Sequence, residues 1–234
     1  MVLAAGMGIR LRPISDDRPK PLVELCGRPL IDWVLDRIRA AGIGRIVVNT
    51  HYRADMLQRH LSGQSDITIS HEDTLLETGG GVKEALPMLG KDPFLVVNAD
   101  AVWLDGPSPA LARLIDAWRP ADMDALLMLQ PTSWVTGYQG PGDYFLDPLG
   151  LARRRQELEV APLLYAGAHI LHPRALNGTP EGAFSMNIVF DALEARDRLW
   201  GMVHDGVWYH IGTPGELESA TDEITRGHTA VVSR

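Results

Sequence analysis

The chain has 234 residues, 45% of them hydrophobic and 22% charged, enough for one large domain with a real core. Its net charge of −8 argues against a general nucleic-acid binder, and no apolar run approaches the roughly 18 residues that cross a membrane. A single cysteine, Cys26, excludes an internal disulfide and a cysteine zinc cluster and points to a reducing, cytoplasmic setting; no secretory leader is expected ahead of the first strand.

Through residue 130 the hydrophobic pattern alternates between strand and helix. Residues 1–5 read as a short strand. Residues 30–41 read as a helix with apolar positions Leu30, Ile31, Val34, Leu35 and Ile38, opened by Pro29 and closed by Gly42. Strands are predicted at 45–49, 67–70, 94–98 and 125–129, and helices at 54–61, 82–89 and 109–118. Such alternation predicts an α/β fold, a doubly wound, mainly parallel, Rossmann-like sheet with ligands beyond the carboxyl ends of its strands. Beyond residue 130 the pattern turns to strands at 144–146 and 163–171 and helices at 187–195 and 215–226. A hairpin is predicted around Asp205-Gly206 between 200–204 and 207–211. The whole, 1–234, reads as one domain. Residues 1–130 read as the α/β core, and 131–234 as a mixed β extension with C-terminal helices that covers the site.

Three stretches follow predicted strands, Gly6 to Arg10, Glu72 to Gly81 and Asn98 to Asp100, and would converge on one rim. Ala4-Ala5-Gly6-Met7-Gly8 leads into Arg10. Both glycines accept positive φ and leave room for a phosphate, although alone the spacing fits a tight turn as well. It is not a GxxxxGK[ST] loop, because no lysine follows directly. Arg10 is placed to grip phosphate oxygens with a planar fork. Lys20 is one of only three lysines, and the rings of Pro19 and Pro21 stiffen the segment that carries it. Asp100 ends an apolar strand in Asn98-Ala99-Asp100 and brings a hard oxygen ligand to the rim.

These stretches resemble the signature of the sugar-1-phosphate nucleotidyltransferases: LAAGMGIRLRP and RPKPL, then Glu77-Thr78-Gly79-Gly80-Gly81, Asn98-Ala99-Asp100, Tyr165-Ala166-Gly167-Ala168 and Trp208 to Thr213. The resemblance implies attack of a sugar-1-phosphate oxygen on the α-phosphorus of a nucleoside triphosphate, with loss of pyrophosphate. It assigns Arg10, Lys20 and Asp100 to catalysis. It assigns Ala4, Ala5, Gly6, Met7, Gly8, Glu72, Glu77, Thr78, Gly79 and Gly80 to the nucleotide, with the glycine run as a loop against the base and Glu72 reading its edge. Gly167 matches a family glycine that admits the sugar, and Asn98, Asp143 and Asn187 are placed at the sugar by their position in the chain. Asp100 matches a magnesium-binding aspartate. A second acid of many relatives is replaced by His210, which leaves three options: His210 on the metal, with Mn²⁺ or Co²⁺ then favoured over Mg²⁺; His210 on phosphate; or Asp100 alone on the metal.

Within the family, the compact length and Glu77 to Gly81 most resemble the cell-wall-recycling uridylyltransferases that act on N-acetylmuramate-1-phosphate, implying UTP and that sugar phosphate. Guanylyl transfer to mannose-1-phosphate is the alternative, and a glucose-1-phosphate enzyme using UTP or dTTP comes third. A non-catalytic nucleotide-sugar sensor on the same fold is the rival from another class. The implied partners are the two small substrates, with no nucleic acid or membrane, and a monomer or homodimer.

Overall fold

A computed structural model describes the backbone of residues 1–232, with side chains through residue 227. Thirteen strands form: β1 (Val2–Leu3), β2 (Glu24–Leu25), β3 (Arg28–Pro29), β4 (Ile46–Thr50), β5 (Ile67–His71), β6 (Phe94–Asn98), β7 (Val102–Leu104), β8 (Ala125–Pro131), β9 (Tyr144–Leu146), β10 (Ala152–Arg154), β11 (Leu163–Leu171), β12 (Leu199–Val203) and β13 (Val207–Tyr209). The helices are α1 (Leu30–Ala40), α2 (Ala54–Leu61), α3 (Glu77–Leu89), α4 (Ala110–Ala117), α5 (Met186–Glu194) and α6 (Pro214–Val232).

Nine of the strands make one sheet, which runs β5-β4-β1-β6-β11 and continues to β8 and β12 along one edge of β11. β1, β4, β5 and β6 are mutually parallel, and β11 enters antiparallel to β6. The far edge of β11 is shared: residues 168–171 pair with β6, and Leu163 pairs with β9. Against β8 the register of β11 shifts between Tyr165 and His169, a bulge in which the Ala166 carbonyl accepts from Trp208 Nε1 at 3.0 Å.

Helices cover both faces. The apolar stripe of α1 is fully buried and shares one core with Leu57 and Leu61 of α2, Leu111 and Leu114 of α4 and the sheet residues Val2, Val48 and Val97. Val82 and Ala85 of α3 and Val189, Phe190 and Leu193 of α5 pack on the opposite face with Val47, Val96 and Leu127. A third cluster joins α6 through Leu217, Ala220 and Ile224 to Leu11, Val23, Leu25, Val102 and Tyr209. That cluster clamps the N-terminal loop against the last helix.

Two expectations are corrected. The segments 199–203 and 207–209 do not pair around Asp205-Gly206. β12 joins β8 in parallel, whereas β13 pairs with β7 in a separate two-stranded ribbon. Gly206 marks a crossing of backbones: a Cβ there would lie 2.1 Å from the Leu104 carbonyl oxygen. The second correction concerns α3. It begins at Glu77, so the glycine run lies inside its first turns rather than in a loop ahead of Val82.

Candidate active site

β1 ends at Leu3, and the backbone that follows is held by buried polar groups. Ala4 N donates to Asn49 Oδ1 at 2.6 Å, and Asn49 Nδ2 donates to Glu72 Oε1 at 2.6 Å. Leu76 N donates to Glu72 Oε2 at 3.0 Å. The ends of β1, β4 and β5 are thereby stapled to the start of α3. Glu72 is only 2% exposed and has a partner on each oxygen, so it braces the rim and does not read a base. Gly81 permits this brace, since a Cβ there would sit 2.6 Å from Glu72 Oε1.

In the loop, Gly8 has φ +62°, and its missing Cβ lets Lys20 Cβ approach to 3.0 Å of that position. The Ser15 hydroxyl donates to Gly8 O at 2.8 Å. Gly6 differs: nothing lies within 4 Å of its Cβ position, and it faces open cavity. Lys20 opens a short turn through Leu22 and directs its ammonium to Asp100, with which it forms an ion pair. The Arg10 guanidinium makes no hydrogen bond or ion pair among the described residues and lines the same cleft.

The glycines of α3 serve packing. Gly79 N and Gly80 N donate to Phe184 O at 2.9 and 3.1 Å, and Met186 N donates to Thr78 Oγ1 at 2.9 Å. A Cβ on Gly79 would meet the Phe184 ring at 2.4 Å, and one on Gly80 the Gly182 carbonyl oxygen at 2.2 Å. The starts of α3 and α5 are thus locked together. Gly79 and Gly80, expected to contact the nucleotide, point into this seam, while Glu77 and Thr78 face the cavity.

Two cavities meet at the rim. The first, about 410 Å³, is lined by Ala4, Ala5, Gly6, Gly8, Glu77, Thr78 and Ser185. Met7 does not line it; its side chain is 39% exposed on the outer side of the loop. The second, about 290 Å³, is lined by Arg10, Asp143, Tyr165, Gly167, Trp208 and His210. Lys20, Asn98 and Asp100 belong to both walls. Gly167, at φ +80°, closes against Asn98 and Ala101, where a Cβ would come within 2.9 Å of Ala101 Cβ. Asn187 does not reach this cleft; it lines a larger adjoining cavity together with Asp143.

Tyr165 is held by His169 Nδ1, 2.7 Å from its hydroxyl. Burial pulls His169 down to about 3 and pushes the Tyr165 phenol up, so both rings stay neutral across this hydrogen bond. His210 stands with Trp208 on the second cavity, and its Nε2 lies 3.6 Å from Glu216 Oε1. Glu216 Oε2 accepts from Gly212 N and Thr213 N at 2.9 and 2.8 Å. A Cβ on Gly212 would come within 3.5 Å of the Arg10 guanidinium carbon, which places Arg10 and this turn side by side.

Among the described residues no group of three or more His, Cys, Asp or Glu could cage a metal ion. A lone carboxylate at a junction of cavities still fits Mg²⁺, which takes one or two protein carboxylates and completes its shell with phosphate oxygens and water.

The site residues that sequence reasoning missed are Asn49, which anchors Ala4, Ser185 on the first cavity wall, Tyr138 on the second, and Glu216 beside His210. Only Glu216 carried a readable signal, the Thr213-x-x-Glu216 capping box.

A nucleotidyl transferase family model matches residues 1–138. The chain belongs to this family. It is 43% identical over 221 residues to an N-acetylmuramate α-1-phosphate uridylyltransferase of Caulobacter vibrioides, covering 92% of this chain and 91% of that one. A protein of the same name from Neisseria meningitidis serogroup B is 34% identical over 94% of this chain and 95% of its own. A mannose-1-phosphate guanyltransferase of Hypocrea jecorina is 30% identical over 94% of this chain, which spans 62% of that longer protein. Among solved structures, a putative glucose-1-phosphate thymidylyltransferase from Bacillus anthracis superposes with a TM-score of 0.80 at 17% identity, covering 94% of this chain and 92% of that one. This nucleotidyl transferase family member therefore shares its fold with proteins whose sequences have diverged far from it.

Proposed function

We propose that the chain transfers the uridylyl group of UTP to N-acetylmuramate α-1-phosphate, releasing pyrophosphate and UDP-N-acetylmuramate. The observation that carries this reading is the meeting of two cavities at Lys20, Asn98 and Asp100 in a chain 43% identical to an enzyme of that name. A transfer between two anionic substrates needs a shared point where their charges are neutralised.

In this reading UTP lies in the first cavity, along Ala4 to Gly8 and Thr78, with its triphosphate over the open face at Gly6. The unpaired Arg10 takes the pyrophosphate as it leaves. The sugar lies in the second cavity, against Asp143 and Gly167, with its phosphate directed at Lys20. Lys20 exchanges its bond to Asp100 for the α-phosphate and the attacking oxygen, where negative charge gathers in the transition state. Asp100 would hold Mg²⁺, which would supply charge neutralisation on the phosphates. No covalent intermediate is required: positioning and electrostatics carry the step. We place His210 on the phosphate side with Arg10 and Glu216, outside the metal shell. A cytoplasmic site, where UTP is available, completes the proposal.

A pyrophosphate-release panel tests it, crossing four nucleoside triphosphates with N-acetylmuramate-, mannose-, glucose- and N-acetylglucosamine-1-phosphate in Mg²⁺. The expected best pair is UTP with N-acetylmuramate-1-phosphate. A preference for GTP with mannose-1-phosphate, or no release with any pair, contradicts it.

A further inference from the structure

Beyond Asp143 and Tyr165 the sugar-side cavity continues into a larger one of about 850 Å³. Three consecutive arginines, Arg153, Arg154 and Arg155, line it, and two of them are already engaged. Arg153 holds Glu159 with both terminal nitrogens, at 2.7 and 3.1 Å. Arg154 holds Asp191 through Nε and Nη2, at 2.6 and 2.5 Å.

Arg155 is different. Its Nε donates to Gly142 O at 2.8 Å, and its Nη1 donates to the carbonyls of Gln156 and Glu157 at 3.1 and 3.2 Å. Among the described residues its Nη2 has no partner, and no carboxylate lies within ion-pair range. Neutral carbonyls fix the guanidinium without cancelling its charge. Its backbone is fixed too: Arg155 N donates to Asp143 O at 2.8 Å. Gly142 lets the following loop close, since a Cβ there would lie 2.0 Å from Ala161 O.

The acids along this wall do not compete for Arg155. Asp191 is taken by Arg154, Glu194 Oε2 accepts from Arg154 N at 2.8 Å, and Asp143 Oδ2 accepts from Tyr165 N at 2.9 Å. The remaining acid, Glu157, is exposed. Among the described residues Arg155 therefore presents a positioned guanidinium with no ion-pair partner, in a cavity that shares Asp143 and Tyr165 with the one lined by Lys20 and Asp100.

We propose that Arg155 receives a carboxylate carried by the sugar ring, which makes it a specificity-determining residue for an acid-bearing sugar phosphate. The inference rests on the proposed uridylyl transfer to N-acetylmuramate-1-phosphate, whose lactyl ether bears such a group; N-acetylglucosamine lacks it. A preorganised guanidinium forms a charge-assisted bond to that acid, and a sugar without the acid leaves Arg155 Nη2 without a carboxylate partner.

The test compares calorimetric affinities for UDP-N-acetylmuramate and UDP-N-acetylglucosamine in the unsubstituted protein, Arg155→Lys and Arg155→Ala, with UTP affinity as the control for folding of the cleft. The unsubstituted protein is expected to favour the muramate product by about tenfold or more. Arg155→Ala is expected to erase most of that preference, with Arg155→Lys intermediate and UTP affinity within about twofold in both. Equal affinity for the two products in the unsubstituted protein overturns the assignment. So does an equal loss for both products in Arg155→Ala. These outcomes are separate from a failure of the underlying reaction, which shows as no pyrophosphate release from UTP and N-acetylmuramate-1-phosphate.

Discussion

Two carboxylates stand at strand ends on the same rim, and they do opposite things. Glu72, just past β5, is buried, with Asn49 on one oxygen and Leu76 N on the other. Asp100, just past β6, is about a third exposed, pairs only with the Lys20 ammonium and forms part of two cavity walls. The first is saturated by groups that cannot leave without unfolding the rim. The second is held by one flexible side chain that can. Saturation and burial separate a structural acid from a chemical one where sequence position does not.

The comparison breaks most visibly at Asp100. Asp100→Ala is expected to lower kcat by about a thousandfold while the melting temperature moves less than for loss of Glu72, because only the part-buried Lys20 ammonium loses its partner and it faces the open cavities. A comparable loss of stability would place Asp100 with Glu72. Lys20→Ala is expected to cost about a hundredfold in kcat, with UTP affinity reduced far less, since its bond forms fully only in the transition state. A rise in KM for UTP at unchanged kcat would contradict this. Glu72→Leu sharpens the other side: it leaves Asn49 Nδ2 and Leu76 N unpaired and is expected to destabilise the fold by about 2–3 kcal/mol in denaturant melts. Unchanged stability would remove the brace from the account.

The smallest effect concerns pH. His169 is held down to about 3 by burial, so below its ordinary value of 6.5 the unfolded chain binds a proton that the folded one refuses. Stability is full above pH 6.5 and falls as pH drops through the window toward 3, by about 1.4 kcal/mol per pH unit once protonation of the unfolded state is complete. Replacing His169 by Phe is expected to flatten that slope in melts at pH 7.0 and 5.5; an unaltered slope contradicts the assignment.

How much of this was legible follows from the range of the interactions. The apolar stripe of α1 and the run in β4 were readable, because each element's own periodicity decides which face is buried. Helix α2 matched over residues 54–61 for the same reason. The glycine run at 79–81 reads as a loop in sequence because the reasons for its glycines are tertiary: Phe184 and Gly182, about a hundred residues away, for Gly79 and Gly80, and the Glu72–Asn49 pair for Gly81. Asp205-Gly206 looked like a hairpin turn, yet the partners of its two flanks, β8 and β7, are remote strands. Within the site, the motifs single out Lys20 and Asp100, which the fold brings together as an ion pair, whereas the Asn49–Glu72 staple was hidden because an asparagine inside an apolar strand carries no mark of what it will bond. Arg155 was hidden too: three arginines in a row read alike until the fold neutralises two.

The most direct test of the central claim is a crystal structure with UDP-N-acetylmuramate bound. The account predicts uridine along Ala4 to Gly8 and Thr78, the sugar against Asp143 and Gly167, and the diphosphate between them within hydrogen-bonding distance of Lys20. A diphosphate bound away from Lys20 and Asp100, or both halves of the molecule in one cavity, would contradict it.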